Sequence, residues 1–78
     1  MPREITARWL TESLKLPNRD DARHYAQNHI KSALMRAAGN VASAAEYLGV
    51  GRATLNRWIA TNDYLAHAVE NARKRGAE

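Results

Sequence analysis

The spacing of small and apolar residues between positions 39 and 59 constrains the fold of this chain more than any other feature of its sequence. Gly39 can end one helix in the left-handed conformation, and the side chain of Asn40 can cap the next helix. The pattern predicts that this next helix extends from Val41 to Leu48. Its predicted inner face has little bulk, which permits a second helix to cross it closely. That face consists of Ala44, Ala45 and Leu48.

A second helix is predicted from about Arg52 to Ala60, after a sharp turn at Gly49. Glycine suits this turn because a residue without a β-carbon adopts positive φ at little cost. Apolar side chains form the inner face of the helix and an anchor in the turn, namely Val50, Leu55, Trp58 and Ile59. The outer face carries donors that suit phosphates and base edges, on Arg52, Thr54, Asn56 and Arg57. Together the two helices predict a helix-turn-helix that binds DNA.

The segment from Ala33 to Ile59 resembles the Fis-type helix-turn-helix, which is also found as the C-terminal DNA-binding domain of bacterial enhancer-binding activators. The resemblance rests on Gly-Asn at 39–40, Ala-Ala at 44–45, Leu-Gly-Val at 48–50, Arg52 and Thr-Leu at 54–55. It implies that Arg52, Thr54 and Arg57 contact DNA. The sequence departs from the family at Gly51, where a polar residue often begins the recognition helix, and at Trp58, a position that is frequently basic.

Two sets of residues follow from the pattern and the resemblance. The predicted DNA-contact residues are Gly51, Arg52, Ala53, Thr54, Asn56 and Arg57. The predicted core of the helix-turn-helix is Ala44, Ala45, Leu48, Gly49, Val50, Leu55, Trp58 and Ile59. We place Trp58 in the core because its spacing from the other apolar residues of the second helix puts it on the inner face.

Three further helices are predicted around this unit. The first extends from about Arg3 to Leu14 and is followed by a break at Leu16-Pro17-Asn18. The second begins near Asp20, reaches Ala38 and ends at Gly39, and the last follows Thr61-Asn62-Asp63 to about Arg75. The fold class is therefore all-α, with about five helices in one structural domain. Its predicted parts are a helical pair at 1–38, the helix-turn-helix at 39–60, and a C-terminal helix with a basic tail at 61–78.

We expect this chain to form a homodimer through its N-terminal helices. A chain of 78 residues without cysteine buries only about 60% of its unfolded surface and has no disulfide to compensate. Trp9 also has few apolar neighbours on its own helix. The candidate dimer interface comprises Ile5, Trp9, Leu14, Tyr25, Ile30 and Leu34.

Composition favours a polyanionic partner and gives no sign of an enzyme. The formal net charge is +4. His24, His29 and His67 lack the spacing of a helical metal site, and the paired Asp20 and Asp21 suit a helix start. We therefore expect no catalytic residues, no metal, no cofactor and no small-molecule ligand. The sequence has no apolar run long enough for a signal peptide or a membrane span, so the expected location is the bacterial cytoplasm or nucleoid.

Three classes of function fit these features. The first is a small prokaryotic or phage transcriptional regulator, a repressor or autoregulator, that binds an inverted repeat in double-stranded DNA as a homodimer. The second is a phage DNA-packaging or architectural protein, because residues 48–75 resemble the DNA-binding part of terminase small subunits. The third is a protein-interaction module. The basic run 73–75 fits either a solvated helix end or a contact with phosphate.

Overall fold

The computed structural model describes residues 6–17 and 19–77, and these residues form five α-helices without a strand. This confirms the all-α prediction. The helices are α1 (Ala7–Leu14), α2 (Asp21–Arg36), α3 (Val41–Leu48), α4 (Arg52–Thr61) and α5 (Asp63–Ala77). The predicted start of the first helix at Arg3 lies outside the described residues.

Side-chain caps fix where most of these helices begin. Thr6 accepts a hydrogen bond from the backbone N–H of Trp9 at 3.1 Å, so α1 starts directly after it. Asp20 caps α2 by accepting from Ala22 at 2.9 Å. Asn40 caps α3, as predicted, by accepting from Ser43 at 3.1 Å. A side chain with a short polar acceptor therefore stands before each of these three helices.

The second helix ends earlier than the sequence indicates. We predicted that it reaches Ala38, but α2 ends at Arg36 and Ala38 has a φ of 54°. The backbone N–H of Ala38 donates to Met35 O at 3.1 Å, and that of Gly39 donates to Leu34 O at 2.9 Å. This pair of bonds is a Schellman motif, which satisfies the last carbonyl groups of the helix. Alanine thus occupies the left-handed position that glycine usually takes.

A single hydrophobic core receives side chains from all five helices. α1 contributes Leu10, while α2 contributes the fully buried Ile30 and Leu34. The helix-turn-helix adds Leu55 from α4, and Leu65 enters from α5. Because α5 packs against both α2 and α4, it closes the side of the core that a helix-turn-helix alone leaves open.

Burial corrects part of the predicted dimer interface. Ile30 and Leu34 have no exposed surface within the monomer, so their assignment to a dimer interface is wrong for this conformation. Their side chains instead fill the space between α2 and its neighbours. Trp9 and Leu14 are half-buried and Tyr25 is 38% exposed. Ile5 lies outside the described residues.

Arg23 holds the turn between α1 and α2, a role that the sequence pattern did not indicate. Its Nη1 atom donates to the carbonyl oxygens of Leu14 at 3.2 Å and Leu16 at 2.9 Å. These carbonyls lie at the end of α1, where no further helical turn supplies donors. A cation at this position therefore satisfies the helix end and links it to α2.

Within the described part of the chain, no helix combines the length and the apolar character that a membrane span requires.

Candidate nucleic-acid interface

A tight turn sets α4 against α3. Gly49 adopts φ 70° and ψ 31°, which is left-handed backbone, and its N–H donates to Glu46 O at 3.2 Å. The N–H of Val50 donates to Ala45 O at 3.0 Å, so this turn is also a Schellman motif. Val50 is partly buried against the core. The glycine and the apolar residue after it together fix the direction in which α4 leaves the turn.

The inner face of α4 is anchored in the core. Leu55 is fully buried, Trp58 is 8% exposed, and Ile59 packs partly buried against the same cluster. On α3, the facing residues Ala44 and Ala45 are 0% and 3% exposed, so the two helices meet over small side chains. Trp58 therefore lies in the hydrophobic core of the monomer, and its ring is not presented to solvent as a stacking surface.

The outer face of α4 is polar and open to solvent. Arg52, Asn56 and Arg57 are exposed, as is Ala53, while Thr54 is half-buried. At 100° per residue, Ala53 lies near the middle of this face, with Arg52 and Asn56 on one side and Arg57 on the other. A small residue at the centre permits close approach of a partner. The longer polar side chains beside it can then reach past the helix to that partner.

Ala60 also lies on this face, and we did not predict it. It is exposed and follows Ala53 by seven residues, which places both residues on the same side of the helix. The signal was present in the spacing, but alanine carries no chemistry that marks it as a contact residue. The exposed surface of α4 is therefore longer than the predicted set, which ended at Arg57.

Gly51 precedes the helix without capping it through a side chain. It is the N-cap residue of α4, and the helix start receives no side-chain hydrogen bond. A β-carbon at this position would meet only Thr54 Oγ1, at 3.8 Å. Glycine is therefore not required here by crowding or by positive φ. The first N–H groups of α4 therefore donate to no capping side chain.

The charge of this surface has one sign. Between Glu46 and Asp63 the sequence contains no acidic residue, whereas α4 carries Arg52 and Arg57. Both guanidinium groups are exposed. The outer face of α4 is thus a donor-rich cationic surface, and the positive end of the helix dipole lies at its start. Within the described residues, no group of three or more His, Cys, Asp and Glu side chains could hold a metal ion.

Comparison with known proteins gives a family for this part of the chain. Residues 27–59 match the family described as bacterial regulatory protein, Fis family. These residues form a Fis-type helix-turn-helix. The match begins inside α2 and ends two residues before the end of α4. No curated protein and no solved structure matches the chain.

The bounds of the match refine the resemblance drawn from the sequence. The family model starts at Gln27, six residues before Ala33, so the second half of α2 is part of the Fis-type unit. This fits the structure, because α2 packs directly on α3. The Fis-type helix-turn-helix thus has three helices here, and the match covers less than half of the chain. The family supports a DNA-binding regulatory role for these residues.

Proposed function

We propose that this protein is a sequence-specific DNA-binding regulator that acts as a homodimer on an inverted repeat. A small prokaryotic or phage repressor that controls its own expression is the simplest form of this function. It would act in the bacterial cytoplasm or nucleoid. The family match supports DNA binding and regulation. The repressor role, the dimer and the inverted repeat are our proposal.

The observation that supports this function most strongly is the two-sided character of α4. Leu55 and Trp58 fix one side in the core, and the opposite side presents Arg52, Asn56 and Arg57 to solvent. Arginine binds guanine O6 and N7 or phosphate through its planar fork of donors, and asparagine binds adenine in the same bidentate manner. The outer face of α4 therefore has the chemistry of a helix that enters the major groove.

We assign a role to each residue of the predicted contact set. Arg52 and Arg57 bind phosphate or guanine, and Asn56 binds a base edge. Ala53 lies at the centre of the face and suits contact with a thymine methyl group. At the helix start, Gly51 and the residues after it offer their backbone N–H groups to phosphate, and the half-buried Thr54 donates from the flank.

The proposed dimer must hold its two copies of α4 at the spacing of successive major grooves. Recognition helices of a dimer lie about 34 Å apart in successive major grooves. The candidate interface is the surface around Trp9 and Tyr25, whose rings meet edge to face with centroids 5.6 Å apart. Leu14, the last residue of α1, is half-buried and also belongs to the candidate interface.

Selection of binding sites from random duplexes tests the proposed function directly. We expect an enriched inverted repeat whose half-sites are separated by about one helical turn. Protection of that repeat in a footprinting experiment, and a dimeric mass in native mass spectrometry, would complete the evidence. Uniform protection of all sequences would contradict sequence specificity.

Substitution of the two arginines tests the site. Arg52→Ala and Arg57→Ala should each weaken binding to the selected repeat, and each lost phosphate contact lowers the slope of log affinity against log salt by about 0.9. Because both side chains are exposed, neither change should unfold the domain. Arg8→Ala is the matched control, since Arg8 is an exposed arginine on α1. Equal losses for Arg8→Ala and Arg52→Ala would show that the outer face of α4 is not the binding site.

A DNA-packaging or architectural role is the second candidate. It is favoured by α5, a 15-residue helix that follows the recognition helix after Asn62 alone. Asn62 is 8% exposed and accepts from the N–H of Leu65, so the junction is closely packed. The family match ends before this helix. A ring of protomers in native mass spectrometry, with binding that is indifferent to sequence, would favour this role over the regulator.

A further inference from the structure

A second cationic surface lies in a groove between α2 and α5. We call it the α2–α5 groove. It has about 380 Å³ of free volume and is lined by Lys31, Met35, Asn71, Lys74 and Arg75. Three of these five side chains are cations, and none is acidic. The two helices therefore bring together positive charges that are more than forty residues apart in the sequence.

The groove continues along α5 towards the start of that helix. An adjoining cavity shares Lys31 and Asn71 and adds Tyr64 and His67. Lys31 Nζ lies 5.8 Å from the centre of the Tyr64 ring, and Tyr64 donates its hydroxyl to Asn28 Oδ1 at 2.7 Å. Lys31 lines both cavities and therefore lies where they adjoin, within cation–π distance of Tyr64. The surface therefore offers a stacking group on Tyr64 and a hydrogen-bonding amide on Asn71, in addition to its positive charges.

The three cations of the basic run at 73–75 lie in different surroundings in the structure. Lys74 and Arg75 line the groove with α2. Arg73 lies on another side of α5, where its Cγ approaches the backbone at Gly39. The run is therefore not a uniform charged tail. Two of its cations join Lys31 in one surface, and the third packs beside the turn before α3.

We infer that the α2–α5 groove binds the phosphate backbone of a DNA segment that the outer face of α4 does not occupy. Like charges on one surface repel one another, and a bound anion offsets this repulsion. Phosphate oxygens can accept hydrogen bonds from both lysine and arginine side chains. The groove is lined entirely by residues of α2 and α5, so α4 remains available for a separate DNA contact. Each protomer then has two DNA-binding surfaces.

The experiment uses the full chain with both α4 arginines replaced by alanine, so that the groove is measured alone. A nonspecific duplex several helical turns long is titrated at increasing salt. This double variant should still bind the duplex at low salt. Adding Lys31→Gln, Lys74→Gln and Arg75→Gln should lower the slope of log affinity against log salt by about 2.7, the value for three phosphate contacts at about 0.9 each.

A control variant removes three positive charges from a surface outside the groove. Arg8→Gln, Lys15→Gln and Arg19→Gln neutralise three exposed cations near α1, outside the groove. In the same double-variant background, these changes should leave the slope within about one unit. Thermal melting of every variant verifies the fold, which matters most for Lys31 because of its contact with Tyr64.

Three results would overturn the inference. Equal slope changes for the groove and control variants would show that net charge, and not the groove, attracts DNA. No low-salt binding by the α4 double variant would show that the groove holds no DNA by itself. Groove-dependent binding of polyglutamate that is as tight as binding of DNA would assign the surface to an acidic protein. None of these results bears on whether the α4 arginines bind the selected repeat, so the two proposals fail separately.

Discussion

The two turns on either side of α3 have the same backbone hydrogen bonds, but they need glycine for different reasons. In each turn, one N–H donates to the carbonyl three residues earlier and the next N–H donates to the carbonyl five residues earlier. After α2, the left-handed positions are Ala38 and Gly39. After α3, the left-handed residue is Gly49. The first turn lies against α5, whereas the second is open to solvent.

Glycine is required at these two positions by different constraints, which the sequence alone does not distinguish. A β-carbon at Gly39 would lie 2.4 Å from Arg73 Cγ, 3.1 Å from Arg73 N and 3.3 Å from Val69 O. A β-carbon at Gly49 would have nothing within 4 Å. Gly39 is therefore required by close packing and by its φ of 82°, and Gly49 by its φ of 70° alone.

The largest expected effect is that of Gly39→Ala. The β-carbon forces α5 away from the turn and also strains the left-handed backbone, so the free energy of unfolding should fall by about 2 to 4 kcal/mol. Denaturant unfolding followed by circular dichroism measures this change. Since α5 packs on α2 and α4, the loss should extend to the whole core rather than to one turn.

A double-mutant cycle with Arg73→Ala shows which atoms cause the loss. Removing Arg73 Cγ relieves the shortest contact, but the backbone atoms Arg73 N and Val69 O stay within 3.3 Å of the added carbon. Arg73→Ala should therefore restore only part of the stability lost in Gly39→Ala. Complete restoration would mean that the side chain of Arg73 alone makes glycine necessary.

A smaller loss is expected for Gly49→Ala. The left-handed backbone costs about 1 to 2 kcal/mol for a residue with a β-carbon, and the smaller entropy of the unfolded chain returns about 0.4 to 1 kcal/mol. The free energy of unfolding should thus fall by about 1 kcal/mol, measured in the same denaturant experiment. Gly49→Asn should cost less, because asparagine tolerates this conformation. A loss as large as that of Gly39→Ala would contradict the steric difference between the turns.

Local signals in the sequence were enough to predict the number of helices and most of their starts. Asn40 as a cap and Gly49 as a turn residue act through neighbouring backbone atoms, so their effect depends on few distant contacts. The end of α2 was predicted two residues too late because alanine at position 38 has a high helix propensity. The turn that ends α2 lies against α5, and this contact joins parts of the chain about thirty residues apart, which a local pattern does not show.

The outer face of α4 was also accessible to sequence reasoning, since helical spacing alone separates Arg52 and Arg57 from Leu55 and Trp58. The α2–α5 groove could not be predicted in this way. Lys31 looks like one solvated charge on a long helix, and only the packing of α5 on α2 places it beside Lys74. Surfaces on one helix follow from periodicity, whereas surfaces between helices depend on tertiary packing.

The smallest expected effect has the opposite sign and concerns Ala38. This exposed alanine has a φ of 54°, in the turn where Gly39 already serves the contact with α5. Ala38→Gly removes about 1 to 2 kcal/mol of left-handed strain but adds about 0.5 to 1 kcal/mol of chain entropy to the unfolded state. The protein should become more stable by about 0.5 kcal/mol, which a shift of the denaturation midpoint at constant slope would show. Destabilisation would mean that the methyl group of Ala38 contributes packing worth more than its left-handed strain.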